Sequence, residues 1–228
     1  MKELIDTYKK VNNDFIGNSN SLHKLGTESK KLEDAATKQI IDILNLNNKE
    51  IIYTSGRCES NNLAIQGLLE KYKNKNMKII TSENENSSIF ESLKYLKQFN
   101  FEIKYINIKD NFIDIESLKK ELDNDTILIS LSNYENINEV IKLKELHKRL
   151  HLHIDKAFDN NFDFNDTDFV TIELSNLPGI SCLIKDKNIT IEPLLHGGKS
   201  TTKSRSGTPA LPLIVIFSKA LKLSINEK

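Results

Sequence analysis

The run Ile51-Ile52-Tyr53-Thr54-Ser55-Gly56-Arg57-Cys58-Glu59-Ser60-Asn61-Asn62-Leu63-Ala64-Ile65 decides the fold class. Ile51 to Tyr53 reads as a short apolar strand and Thr54 to Arg57 as a turn. Leu63, Ala64 and Leu68 then mark a helix from about Glu59 to Tyr72. The same unit recurs: strand Lys78 to Thr81 with helix Ser88 to Phe99, strand Glu102 to Ile106 with helix Ile115 to Leu122, and strand Thr126 to Leu131 with helix Asn138 to Leu150. A further strand, Leu152 to Ile154, ends at Asp155. Upstream, Leu32, Ala35, Ala36, Ile40, Ile43 and Leu44 place an amphipathic helix around Leu25 to Leu46. Short strands alternating with helices of about a dozen residues predict an α/β fold, a mainly parallel sheet covered on both faces in three layers.

After Asp155 the helical rhythm stops. Phe162 to Asp168 is an acidic, aromatic linker, and strands are expected at Phe169 to Ile172, Ile180 to Ile184 and Ile189 to Pro193, with an antiparallel pair in the middle. His196-Gly197-Gly198 through Gly207 is a polar loop, and Leu211 to Leu223 a closing helix. No break divides the chain, so one domain over residues 1–228 is expected. In such sheets ligands sit outside the carboxyl ends of the strands, which directs attention to Thr54 to Cys58, Ser82 to Asn86, Ser132 to Asn136, Asp155, and Glu173 to Asn176.

Composition narrows the function classes. The 228 residues carry 32 Lys and Arg against 32 Asp and Glu, a formal net charge of zero with no block of one sign. That balance argues against nucleic-acid binding or an electrostatic membrane anchor. No apolar run approaches the roughly 18 residues that span a bilayer, and Met1 to Lys10 is a charged helical pattern, so a cytoplasmic protein is expected. Two cysteines, Cys58 and Cys182, are too few for a disulfide framework or a four-ligand zinc site. His23, His147 and His151 lack metal-ligand spacing, and no metal is expected.

Gly17-Asn18-Ser19-Asn20-Ser21-Leu22-His23 and the run Ile51 to Ile65 resemble the cysteine desulfurases of the NifS/IscS type, fold-type I pyridoxal-phosphate (PLP) enzymes of aminotransferase class V. Further matches follow in the same order at Ile79 to Ser82, Asp125 to Ser130, His153-Ile154-Asp155, His196-Gly197-Gly198 and Arg205-Ser206-Gly207-Thr208. The resemblance implies the large domain of that fold. It assigns Asp155 to the protonated pyridine nitrogen, the turn with Gly56, Arg57 and Cys58 to the phosphate, and Asn136 to a cofactor contact. It also implies that the loop ending at Thr208 reaches across a two-fold interface toward a partner's phosphate site.

Several positions depart from the family pattern. The Schiff-base lysine is matched by Asn176, whose amide is no nucleophile, and no lysine lies between Ala157 and Ile184. Lys156 and Lys185 flank that gap and read as solvated side chains. The ring-stacking histidine is matched by Asn86, the glutamine near the phenolic oxygen by Phe158, and a phosphate-holding serine by Glu173. The Thr-Ser-Gly-Gly-Thr phosphate loop reads Thr54-Ser55-Gly56-Arg57-Cys58, with a glycine and a hydroxyl lost. Family members continue past the Arg205 to Thr208 loop into a small domain with the substrate-carboxylate arginine and the sulfur-accepting cysteine. This chain stops at Lys228, so that domain is expected to be absent.

The expectation is therefore a pseudoenzyme. It has no catalytic residue and no cofactor, with PLP only if family chemistry persists, and it acts as a homodimer or as the partner of a desulfurase-like chain. The alternatives are one part of a split PLP-dependent cysteine desulfurase supplying sulfur for iron–sulfur cluster or thio-cofactor synthesis, and a small-anion module built on the Thr54 to Cys58 turn.

Overall fold

In the computed structural model, residues 2–157, 163–198 and 202–226 are described. The chain runs α1 (Lys2–Asp14), α2 (Lys24–Ile43), β1 (Lys49–Thr54), α3 (Arg57–Leu69), β2 (Lys78–Ser82), α4 (Ser87–Leu96) and β3 (Glu102–Ile106). It continues through β4 (Ile108–Lys109), β5 (Phe112–Ile113), α5 (Ile115–Glu121), β6 (Thr126–Ser132), α6 (Ile137–Glu145) and β7 (His151–Ala157). The last elements are β8 (Phe169–Glu173), β9 (Ser181–Asp186) and α7 (Leu211–Asn226). Among the described residues a seven-stranded sheet takes the order β1-β9-β8-β7-β6-β2-β3. Strands β3, β2, β6, β7 and β8 pair in parallel, and β9 runs antiparallel to both β8 and β1.

The period of two along each strand sorts the core onto two faces. Ile52, Ile79, Leu128, Phe169 and Leu183 pack with Leu63, Leu68 and Leu93 of α3 and α4. Their sequence neighbours point the other way: Ile51, Val170 and Ile184 meet Ile40 of α2 and Phe217 of α7, while Ile80 and Ile129 meet Leu118 of α5 and Val140 of α6. The result is the three-layer α/β arrangement expected from the strand–helix rhythm.

Three local expectations are corrected. Ile189 to Pro193 forms no strand. It lies as a strap over α3, where Glu192 N–H donates to the Gly67 carbonyl at 2.9 Å. Gly67 permits that approach, because a Cβ there would stand 2.7 Å from the Glu192 carbonyl oxygen. The helix expected over Asn138 to Leu150 stops at Glu145, where Leu146 and His147 turn back onto the carbonyls of Leu143 and Lys144. Strand β7 runs past Asp155, which pairs with Ser132 and Thr171 inside the sheet. The β4–β5 hairpin is an addition, too short for a periodic signal. It is turned by Asp110 and Asn111 at positive φ, a conformation taken among the described non-glycine residues only by Asn and Asp.

Candidate functional site

Asp155, His153 and Phe169 face α3, the face on which the Thr54 to Cys58 turn opens. That turn follows β1 directly and its backbone enters α3 at Arg57. Asp155 is 1% exposed. Its two carboxylate oxygens receive Arg57 Nε at 2.7 and 2.8 Å, and one also receives Asn61 Nδ2 at 2.7 Å. Burial raises the Asp155 carboxyl above its ordinary value, with Arg57 and Asn61 pulling in the opposite direction. The Oδ1 atom of Asn61 is buried without a donor among the described residues, so the amide is committed to the carboxylate at the expense of that oxygen.

From Asn61 the hydrogen bonds continue away from the sheet. Asn61 Nδ2 also donates to Ser88 Oγ at 2.8 Å, and Ser88 Oγ donates to Asn86 Oδ1 at 2.7 Å. Asn86 is the N-cap of α4 and accepts from the Ser88 backbone as well. Where the resemblance places a stacking ring, the chain has a capping amide.

The turn's own amides face carboxylates. Ser55 N–H donates to Glu59 Oε2 at 2.7 Å, and Arg57 N–H lies 3.4 Å from Glu173 Oε1. Burial opposes charge on Glu59, but hydrogen bonds from Arg205 and Ser55 outweigh it and hold the carboxyl below its usual value. Gly56, Arg57, Cys58, Asn86, Tyr95 and Glu173 line an open cleft of about 810 Å³. The Cys58 side is exposed, and Asn62 Nδ2 donates to the Cys58 carbonyl at 2.8 Å.

The sequence-predicted residues thus divide. Gly56, Arg57, Cys58 and Asp155 come together, with Glu173 beside them. Asn136 is placed elsewhere: its Oδ1 accepts from Ile113 N–H at 2.8 Å and its Nδ2 donates to the Ile113 carbonyl at 3.0 Å, tying α6 to β5. Thr208 Oγ1 accepts from Asn18 Nδ2 at 3.3 Å within the same chain. Asn176 is exposed in the turn after β8, anchored by buried Leu174 and Leu177. Lys156 and Lys185 are buried, against the expectation of solvated side chains, and Lys185 Nζ donates to the carbonyls of Asp186 and Ile189. Phe158 lies outside the described residues.

Sequence reasoning gave no role to two groups, although Glu85 lies in the segment Ser82 to Asn86 and His153 in the matched run His153-Ile154-Asp155. Glu85 is held by Ser82 Oγ at 2.7 Å, Tyr134 Oη at 3.1 Å and the N–H and Oγ of Ser132 at 2.7 and 2.6 Å, which pins the loop after β2 to the end of β6. Buried His153 bridges Ser130 Oγ at 2.9 Å and Thr171 Oγ1 at 3.1 Å, and burial pushes its pKa down to about 3. The His-x-Asp spacing is visible in the chain, but the cross-strand partners are not.

A model of the aminotransferase class-V family matches residues 1–158. The chain belongs to that family. This class-V chain is similar to cysteine desulfurase IscS of Dictyoglomus turgidum, 32% identical over 241 residues, which cover 99% of the chain and 61% of that protein. It is also 34% identical over 230 residues to cysteine desulfurase IscS of Rickettsia typhi, covering 93% of the chain and 56% of the relative. A solved NifS-like protein superposes with a TM-score of 0.92 at 24% identity over 100% of the chain and 67% of that structure, a likeness of fold. The class-V chain therefore spans about three fifths of the length of these curated relatives.

Pyridoxal phosphate, which the family implies, needs a carboxylate for its ring nitrogen, amides for its phosphate and an amine for its aldehyde. Here Asp155 carries Arg57, the Ser55 amide is taken by Glu59 with Glu173 beside the Arg57 amide, and among the described residues no lysine lines the cleft. The residues present do not fit the group. Among the described residues no helix is long and apolar enough to cross a membrane, and no cluster of His, Cys, Asp and Glu is arranged to hold a metal ion.

Proposed function

We propose that this class-V chain works as a cysteine-desulfurase-like pseudoenzyme without PLP, pairing with a second copy of itself or with a desulfurase-type chain in the cytoplasm. The observation that carries this reading is the bond from Arg57 Nε to both oxygens of Asp155, because a carboxylate already paired with an internal cation is not available to a pyridine nitrogen. The cleft lining supports it independently, since among the described residues no lysine lines it to condense with an aldehyde. A partner role keeps the outer surface of the fold in use while the cleft loses its chemistry.

The test mixes the purified chain with PLP, records the visible absorbance, reduces with borohydride and locates any pyridoxyl-lysine by mass spectrometry. The expected result is no new band, no single modified lysine and no sulfide released from cysteine above a PLP-only control. One lysine modified in good yield overturns the reading. Light scattering of the same sample is expected to give a dimer.

The second reading, one part of a split desulfurase, is favoured by the similarity to two cysteine desulfurases IscS at 32% and 34% identity. It requires another chain to bring the amine that the cleft lining lacks among the described residues. Cysteine turnover that appears only on mixing this chain with such a partner supports it over the first.

A further inference from the structure

The Asp155 carboxylate lies inside the sheet, flanked by β6 and β8, with its side chain fully shielded from solvent. An ionised carboxylate there needs a counter-charge or it destabilises the fold. The counter-charge comes from a residue 98 positions away in the chain, on the first turn of α3. Arg57 is suited to this by position as well as charge. Its guanidinium reaches down to β7 while its side chain remains 30% exposed, so the group lies between the buried carboxylate and the open cleft. The same cleft gives a small solute a route to the carboxylate once the side chain is shortened.

We infer that Arg57 is a built-in cation occupying the place that a bound cationic ring would take on Asp155, so that the chain neutralises its buried carboxylate from within and folds without a cofactor. This rests on the PLP-free reading above and deepens it by naming the group that keeps the site closed. Arg57 is a positioning residue on this account, acting on the charge of Asp155 and through it on the register of α3 against β7. Asn61 cannot replace it, because a neutral amide gives the carboxylate one donor and no charge.

The experiment compares thermal unfolding of the wild type, Arg57→Ala, Asp155→Asn and Arg57→Ala/Asp155→Asn, each in ethylguanidinium chloride and in sodium chloride of equal concentration. Arg57→Ala is expected to melt roughly 10 °C lower than the wild type, since it leaves a buried charge unpaired. The double variant is expected to recover most of that loss, because an amide at 155 needs no counter-charge. Ethylguanidinium is expected to raise the midpoint of Arg57→Ala and of no other variant. If Arg57→Ala does not fold, a folded double variant carries the same conclusion. The inference is overturned if Arg57→Ala melts within about 2 °C of the wild type, if the loss is as large in the Asp155→Asn background, or if ethylguanidinium acts on all variants alike. These outcomes leave the PLP-free reading standing, which falls only to a pyridoxyl-lysine adduct on the wild-type chain.

Discussion

Arg205 Nε lies 2.9 Å from Glu59 Oε1, and the other oxygen of the same carboxylate accepts from Ser55 N–H. One side chain on the first turn of α3 therefore closes the turn behind it and holds a loop 146 positions away. Gly207 and Thr208 of that loop rest on Asn20 and Asn18 of the same chain. Arg205 keeps its shape by an intramolecular ion pair, whichever surface the loop presents to a partner.

Glu59→Gln is expected to free this loop, because Gln keeps an acceptor for Ser55 but gives Arg205 no charge. Tryptic cleavage after Lys203 or Arg205 is expected to speed up several-fold, with about 1 kcal/mol or less lost from global stability at this partly exposed pair. Unchanged cleavage would show that the Asn18 and Asn20 contacts suffice.

His153 gives stability a pH dependence of known sign. Its folded pKa of about 3 lies below the ordinary 6.5, so the unfolded chain takes up the proton first. The contribution is complete above about pH 6.5 and is lost as pH falls toward 3, at about 1.4 kcal/mol for each unit of difference. Asp155 and Glu85, both raised by burial, act in the opposite sense, because their folded forms hold protons that the unfolded chain releases as pH rises. Urea midpoints of wild type and His153→Gln at several pH values isolate the histidine: the curves are expected to converge toward low pH, and parallel curves would contradict it.

Phe217 is fully buried where α7 meets α2 and the sheet, whereas Leu22 is 95% exposed. Phe217→Ala is expected to cost about 3–5 kcal/mol through lost burial and a cavity. Leu22→Ala should stay within about 0.5 kcal/mol of the parent. Urea denaturation measures both, and equal losses would mean that α7 does not close the core.

Gly67→Ala sets two effects against each other. Alanine favours a helix interior by about 1 kcal/mol, but its Cβ would meet the Glu192 carbonyl oxygen at 2.7 Å. Displacing the strap over Ile189 to Pro193 costs more, about 1–3 kcal/mol by the usual scale of overpacking. A net fall in melting temperature with faster hydrogen exchange at the Glu192 amide is expected. A rise would show that the strap yields freely.

The α/β class was legible because strand-to-helix changes of period are local: Ile51, Ile52 and Tyr53 give way within a few residues to Leu63, Ala64 and Leu68. The strap at Ile189 to Pro193 shows where that signal misleads, since its apolar residues are buried against α3 by side-chain packing with no ladder partner. The charge on Arg57 was visible, but the sequence offered it to an outside anion. Its carboxylate lies on another strand, and no local pattern reports a pairing at that separation. The partner of Asn136 was hidden for a related reason: an asparagine before a helix has many backbone groups within reach, and here the hairpin strand β5 takes both ends of its amide.

Strand β1 ends at Thr54, and its ladder partner among the described residues, β9, begins at Ser181, 127 positions later. A ribosome adding about 5–20 residues per second leaves β1 without that neighbour for on the order of ten seconds. The parallel strands β2, β3, β6 and β7 find one another sooner, around their own helices. During translation the first of the described strands to emerge is thus among the last of them to be sheltered. Ile51, Ile52 and Tyr53 wait as a bare apolar edge, and in that interval the nascent chain has most to gain from a chaperone.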